Sequence, residues 1–132
     1  MLENVSKLAG VIHSLGLTKG DTCIIYMPMV PEAIFAMMAC ARVGVTHSVV
    51  FGGFSAKELA SRIVDCEPKL IFSASCGIEP HRLVDYKQIL DNAIAESGRE
   101  LKTIILQRKQ KLVELGPRDS DYEQLMSEVK HL

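Results

Sequence analysis

Val45-Thr46-His47-Ser48-Val49-Val50-Phe51-Gly52-Gly53-Phe54-Ser55-Ala56-Lys57-Glu58 holds three structural instructions in succession. Val45 to Val50 is a short apolar run rich in β formers, and it leads straight into a pair of glycines. Ser55 and Glu58 then match the reciprocal capping box, in which a hydroxyl and a carboxylate three residues apart satisfy free amide donors at a helix start. The stretch is therefore strand, glycine loop, helix, which is half of a βαβ unit. Glycines lack the Cβ atoms that keep a ligand away from the backbone, and Phe51 and Phe54 offer flat apolar faces for a planar group.

The same alternation repeats on both sides. Upstream, Val5, Leu8, Ile12 and Leu15 carry a helical stripe, Lys19-Gly20-Asp21 breaks it, and Thr22 to Tyr26 forms a strand. Met27 to Val30 turns the chain, Pro31 suits a first helical position, and Ile34, Met37, Met38 and Ala41 mark the expected buried face of a helix that stops at Gly44. Downstream, the helix begun at Ser55 uses Leu59, Ile63 and Val64 as its apolar face and ends at Glu67-Pro68. Leu70 to Phe72 is a strand, and Ser73 to Arg82, with Gly77 and Pro80, is a loop. Asp85 suits a cap for a helix carrying Tyr86, Ile89, Leu90, Ala93 and Ile94, which closes at Ser97-Gly98. Thr103 to Leu106 is the fourth strand.

Strands joined by single helices, and apolar enough for burial on both faces, specify the α/β class. The expected architecture is an open parallel sheet of about four strands with helices on both faces, over residues 1–106. Residues 107–132 read as a polar tail with a terminal helix from Glu123 to Leu132. Within it, Arg108-Lys109-Gln110-Lys111 has the composition of a phosphate-binding run, but the preferred reading is a solvated charge run.

Composition narrows the function. At 132 residues, 48% hydrophobic and 23% charged, the chain suits one core. A net charge of -1 offers no basic footprint for nucleic acid. Cys23, Cys40, Cys66 and Cys76 lack C-x-x-C spacing and read as structural thiols of a reduced, intracellular protein, and no metal site is expected. There is no apolar run of membrane-spanning length and no secretory signal pattern, so no membrane partner is expected. Helical periodicity already under way at Val5, with no cap before it, suggests a chain that begins inside a larger protein.

Right-handed crossovers bring the segments after the first three strands to one carboxyl edge, where open α/β sheets bind ligands. Free N–H groups at the helix after Gly53, together with the Arg82 guanidinium, suit a phosphorylated nucleotide. The spacing equally allows that Gly52 and Gly53 serve close helix–strand packing and that Arg82 is an ordinary surface charge.

Tyr26-Met27-Pro28-Met29-Val30-Pro31-Glu32-Ala33, Ala39-Cys40-Ala41-Arg42-Val43-Gly44, and His47 to Ser55 with Arg62-Ile63 closely resemble the short-chain acyl-CoA synthetases. These acetyl- and propionyl-CoA synthetases are members of the adenylate-forming (AMP-binding) superfamily. The resemblance covers about residues 4 to 106, placing the chain in a subdomain of the family's N-terminal domain. It implies condensation of a carboxylate with ATP to an acyl-adenylate, assisted by Mg2+, then acyl transfer to CoA. It further implies that Phe51, Gly52 and Gly53 lie against the nucleotide end of CoA and that Arg82 holds its phosphates.

Two departures matter. Glu79 stands where many acetyl-CoA synthetases have a second arginine; Gly77-Ile78-Glu79-Pro80 instead looks like the propionyl-CoA synthetase subgroup, with His81 in place of an expected glycine. The family's Ser/Thr/Gly-rich ATP loop ending in Pro-Lys, its Tyr/Thr/Glu segment, its ribose-binding Asp and its lid-domain lysine are all missing from these 132 residues. Nor is there a nucleophile elbow or a P-loop, so Ser73 to Cys76 receive no catalytic role. The resemblance thus implies a catalytically inactive fragment of an enzyme of the cytosol or mitochondrial matrix; the alternatives are a half-site module that binds the nucleotide end of CoA, and a structural fragment that self-associates through exposed strand edges and apolar helix faces.

Overall fold

Strands covered on both faces must be apolar along their whole length, and Cys23 to Tyr26 and all of Leu70 to Ala74 are buried. A computed structural model describes residues 2–28, 30–50, 55–79 and 82–128. In chain order the elements are α1 (Leu2–Ser14), β1 (Thr22–Tyr26), α2 (Pro31–Val43), β2 (Thr46–Val50), α3 (Ala56–Cys66) and β3 (Leu70–Ala74). There follow β4 (Gly77–Glu79), β5 (Arg82–Val84), α4 (Tyr86–Ser97), β6 (Lys102–Leu106), β7 (Asp119–Asp121) and α5 (Tyr122–Glu128).

The main sheet is parallel throughout, in the order β2-β1-β3-β6-β7. From β1 the chain steps outward to β2, then returns across β1 to β3 and continues the other way. That reversal puts the helices on opposite faces. Val5, Leu8 and Ile12 of α1, Ala36 and Cys40 of α2, and Tyr122 and Met126 of α5 share one core cluster. Leu59 and Ile63 of α3 pack with Tyr86, Leu90 and Ile94 of α4 in the other.

The helix boundaries follow local chemistry. Pro31 opens α2, and Gly44 ends it in the left-handed region at φ 79°, with its N–H donating to the carbonyls of Ala41 and Cys40. The capping box at α3 is formed in both directions: the Glu58 N–H donates to Ser55 Oγ at 3.2 Å, and the Ser55 N–H donates to the Glu58 carboxylate at 3.2 Å. Asp85 caps α4 by accepting from the Gln88 N–H at 3.0 Å.

Four expectations are corrected. The buried face of α2 is Ala33, Ala36, Ala39 and Cys40, whereas Ile34 is 52% exposed, Met38 41%, and Ala41 also faces outward. Small side chains let the helix axis approach the sheet and α1, so the large residues are displaced outward. Val64 of α3 is likewise 42% exposed. The loop from Ser73 to Arg82 holds a hairpin, with Gly77 paired to Val84 and Glu79 to Arg82. The sheet has five strands in place of about four, because Asp119–Asp121, in the segment read as a polar tail, pairs with β6.

That last strand carries no apolar pattern; its charges are satisfied internally. Asp119 accepts from the Thr103 hydroxyl and, at 2.8 Å, from the Gly116 N–H, while Lys87 Nζ lies 3.0 Å away. The connection 107–118 crosses the α4 face, where Val113 and Leu115 pack on the core. Gln107 ties it down by donating to the Val113 carbonyl at 2.7 Å and accepting from the Val113 N–H at 3.0 Å.

Candidate functional site at the carboxyl edge of the sheet

The register places the carboxyl ends of β2, β1 and β3 side by side: Val50 pairs with Tyr26, and Tyr26 with Ser73. The order of strand addition reverses at β1, with β2 on one side and β3 on the other, which makes the crevice between β1 and β3 the topological switch point where open α/β sheets take ligands. Phe51, Gly52 and Gly53 follow Val50 directly and lie outside the described residues. Arg82 opens β5. The fold therefore brings the departure point of the glycine loop and the hairpin bearing Arg82 to the same edge.

Beneath that edge is an aromatic pair. Tyr26, the last residue of β1, stacks on Tyr86, the first residue of α4, with ring centroids 4.8 Å apart and planes inclined by 27°. Both rings are buried. Gly77, at the start of the hairpin, sits directly on the second ring: a Cβ there would lie 2.5 Å from Tyr86 Cε1. Periodicity marked Tyr86 as core but gave no sign of the stack, since pairing of an end-of-strand tyrosine with a start-of-helix tyrosine depends on the crossover.

The edge also holds hydroxyls removed from water. Tyr26 OH and Ser73 Oγ are buried without a hydrogen-bond partner among the described residues. Burial, with Tyr86 adjacent, pushes the Tyr26 phenol well above its ordinary pKa, so it stays neutral. Ser75, the next serine along, has structural work: its Oγ accepts from the Arg108 N–H at 2.8 Å, and its own N–H donates to the Leu106 carbonyl at 2.9 Å.

The basic run divides between structure and solvent. Lys111 Nζ reaches the Asp85 carboxylate at 2.7 Å, tying the start of α4 to the connection, whereas Lys109 is exposed. Burial works to raise the pKa of Asp85, and the Lys111 ammonium with the Gln88 N–H outweighs it, holding the carboxyl below its usual value. At the β2 margin, Arg62 of α3 donates to Ser48 Oγ at 2.9 Å.

All four cysteines are free, and Cys23, Cys40 and Cys76 are buried. Burial, and then the neighbouring Cys40 thiol, push the Cys23 thiol well above its ordinary range, so it is a poor nucleophile at neutral pH. Among the described residues, no group of three or more His, Cys, Asp or Glu side chains is arranged to hold a metal ion. No helix among them is long and apolar enough to cross a membrane.

A family model described as AMP-binding enzyme matches residues 1–130. The chain is 44% identical over 133 residues to rat "Acyl-CoA synthetase short-chain family member 3, mitochondrial", covering 98% of this chain and 20% of that protein. It is 38% identical over 125 residues to the Escherichia coli "Propionate--CoA ligase", covering 93% of this chain and 20% of the relative. The chain thus spans about one fifth of the length of these relatives. The structure is similar to that of acetoacetyl-CoA synthetase from Streptomyces lividans, with a TM-score of 0.86 at 22% identity, over 98% of this chain and 20% of the other. That likeness shows the fold.

Proposed function

The chain belongs to the AMP-binding enzyme family, and on that footing we propose that it forms the CoA-nucleotide side of an acyl-CoA synthetase that ligates acetate or propionate to CoA through an acyl-adenylate. Phe51, Gly52 and Gly53 would lie against the nucleotide of CoA, and Arg82 would hold its phosphates. The observation that carries this reading is the convergence, at one switch-point edge, of the end of β2 and the hairpin that begins its return strand at Arg82. Backbone N–H groups at the capped start of α3 add donors for an anion at the same edge.

In this reading ATP and Mg2+ belong to the intact parent. What supports this is the sequence, in which the ATP-phosphate loop is missing from these 132 residues. Taken alone, the 132-residue chain does not form an acyl-adenylate. It binds CoA weakly, because a half-site must order its loops without the surfaces that would complete it. The setting is intracellular, cytosol or mitochondrial matrix.

Calorimetry of the full chain with CoA and with 3′-dephospho-CoA tests the binding. Arg82→Ala should weaken CoA binding about tenfold, the loss of one charge-assisted contact. Absence of heat at millimolar CoA overturns the half-site. Pyrophosphate release from ATP and propionate by the chain alone overturns its inactivity.

A second reading, self-association, is favoured by Ile34 and Met38, one helical turn apart and exposed on α2, and by β2, an edge strand that α2 leads into. Light scattering should show dimers that Ile34→Lys dissociates; a monomer at all concentrations removes this reading.

A further inference from the structure

We propose that Tyr86 is a positioning residue: clamped between Gly77 and Tyr26, its ring fixes the β4–β5 hairpin, and with it the Arg82 backbone, over the carboxyl edge of the sheet. The part of this inference that concerns ligand affinity rests on the CoA reading above.

The hairpin needs such an anchor. It forms a separate two-stranded sheet, with three residue pairs and no ladder to the main sheet. Isolated two-stranded hairpins are marginal in water, so something else must hold this one. The root supplies an attachment: Gly77 lies on the Tyr86 ring and its partner Val84 is buried in the α3–α4 core, whereas Leu83 in the return strand is 42% exposed.

At that root the contacts form a chain of rings and backbone. Gly77 lies so close to Tyr86 that a Cβ would come within 2.5 Å of Cε1, 3.1 Å of Cζ and 3.2 Å of Cδ1. Real Cβ atoms do not approach ring carbons so closely, so only glycine brings the hairpin backbone down onto the ring. Tyr86 then rests on Tyr26 at 4.8 Å. Tyr26 is held by ladders on both sides, to Val50 and to Ser73. The central strand of the sheet thereby sets the height of the hairpin root.

Arg82 lies two residues before Val84, so about 7 Å of strand separates it from the root. A tilt at the root is transmitted along that lever. A guanidinium fork that grips phosphate in two places is sensitive to such a displacement.

The test uses the full chain with Gly77→Ala, Tyr86→Phe, Tyr86→Leu and the double variant Gly77→Ala/Tyr86→Leu. Backbone hydrogen exchange in residues 77–79 and 82–84 is read without ligand, and CoA affinity by calorimetry. Gly77→Ala should speed hairpin exchange about tenfold relative to β1 and β3, and weaken CoA to a similar degree. Tyr86→Phe keeps the ring, so it should loosen the hairpin and weaken CoA less than Tyr86→Leu does; equal effects of the two would show that the ring is not the anchor. In the double variant the space left by the ring admits the Cβ, so its effects should be smaller than the sum of the singles.

Hairpin exchange unchanged by Gly77→Ala overturns the proposal, as does exchange that rises equally across the whole sheet. If the parent chain gives no heat with CoA while Gly77→Ala still loosens the hairpin selectively, the CoA reading fails and the positioning role stands.

Discussion

Lys87 Nζ lies 3.0 Å from the carboxylate of Asp119, and their side chains are 8% and 1% exposed. The pair joins α4 to the last strand of the sheet. Asp91, one turn along α4, also contacts Lys87, at 2.5 Å, and lies 3.5 Å from Arg118, so the attachment of β7 is a charged network. Without Asp119, Lys87 keeps Asp91 as a partner, but the attachment of β7 loses its most buried carboxylate and the Gly116 N–H loses that acceptor. Asp119→Ala should cost about 3 kcal/mol in chemical denaturation and speed amide exchange from residue 107 onward. A loss below about 0.5 kcal/mol, the size of a surface effect, would show that β7 docks by other means.

The same network sets a pH dependence. Burial works to raise the pKa of Asp119, but the Thr103 hydroxyl, the Gly116 N–H and the Lys87 ammonium outweigh it, and the carboxyl sits below its ordinary value. Its unfolded value is about 3.9. A depressed folded pKa means that its stabilisation is complete above about pH 5 and is lost as pH falls through the folded pKa. Asp85, depressed by Lys111 and the Gln88 N–H against its burial, acts in the same direction. Lys87 has the opposite sign: burial works to lower its pKa, Asp91 and Asp119 outweigh it, and its contribution is lost only as pH rises above its unfolded value of about 10.4. Urea midpoints across the acid range should fall for the parent and fall less for Asp119→Asn; parallel curves would contradict the assignment.

Tyr26→Phe should be neutral or stabilising, by up to about 1 kcal/mol. The substitution retains the ring that stacks on Tyr86 and removes a hydroxyl buried without a partner among the described residues. Thermal melts decide: a loss above about 1 kcal/mol would mean that the hydroxyl is satisfied in solution.

On α2 the two faces should respond in opposite senses to their hydrophobicity. Ile34→Lys should change stability by less than about 0.5 kcal/mol, since that side chain is 52% exposed. Ala36→Leu should cost about 1 to 3 kcal/mol, since Ala36 is fully buried and leaves no room for added methylenes. Equal costs at the two sites would reverse the orientation of the helix.

Much of the fold was legible because its signals are local. The capping box at Ser55 and Glu58, Pro31 at a helix start and the glycine stops at Gly44 and Gly98 act within one turn of the chain, and each is found in place. The face of α2 is not legible from hydrophobicity, because Ala33, Ala36 and Ala39 are buried through their small size, which a hydrophobic ranking does not reward. Strand β7 was invisible because Asp119-Ser120-Asp121 carries no apolar alternation. It is a strand by its ladder to β6, with Asp119 held by Lys87, 32 positions earlier. At the site, Phe51, Gly52 and Gly53 lie outside the described residues, and the hairpin bearing Arg82 was hidden by the turn composition around Pro80. Gly77 carried a clear loop signal whose cause, contact with a ring nine positions later, only the packing supplies.

The strand order has a consequence for how the chain is made. Read in order of synthesis, β2 joins one side of β1, β3 joins the other, β6 joins β3, and β7 joins β6. Every newcomer meets an open edge, and none has to be inserted between strands already paired. The sheet can therefore grow by accretion as the polypeptide lengthens, N-terminal parts first. The fifth of these strands, β7, carries Asp119 and Asp121 in place of an apolar pattern and is held through the Lys87 ion pair, so once it is in place it covers the apolar β6 with a charged strand that resists pairing with a second chain.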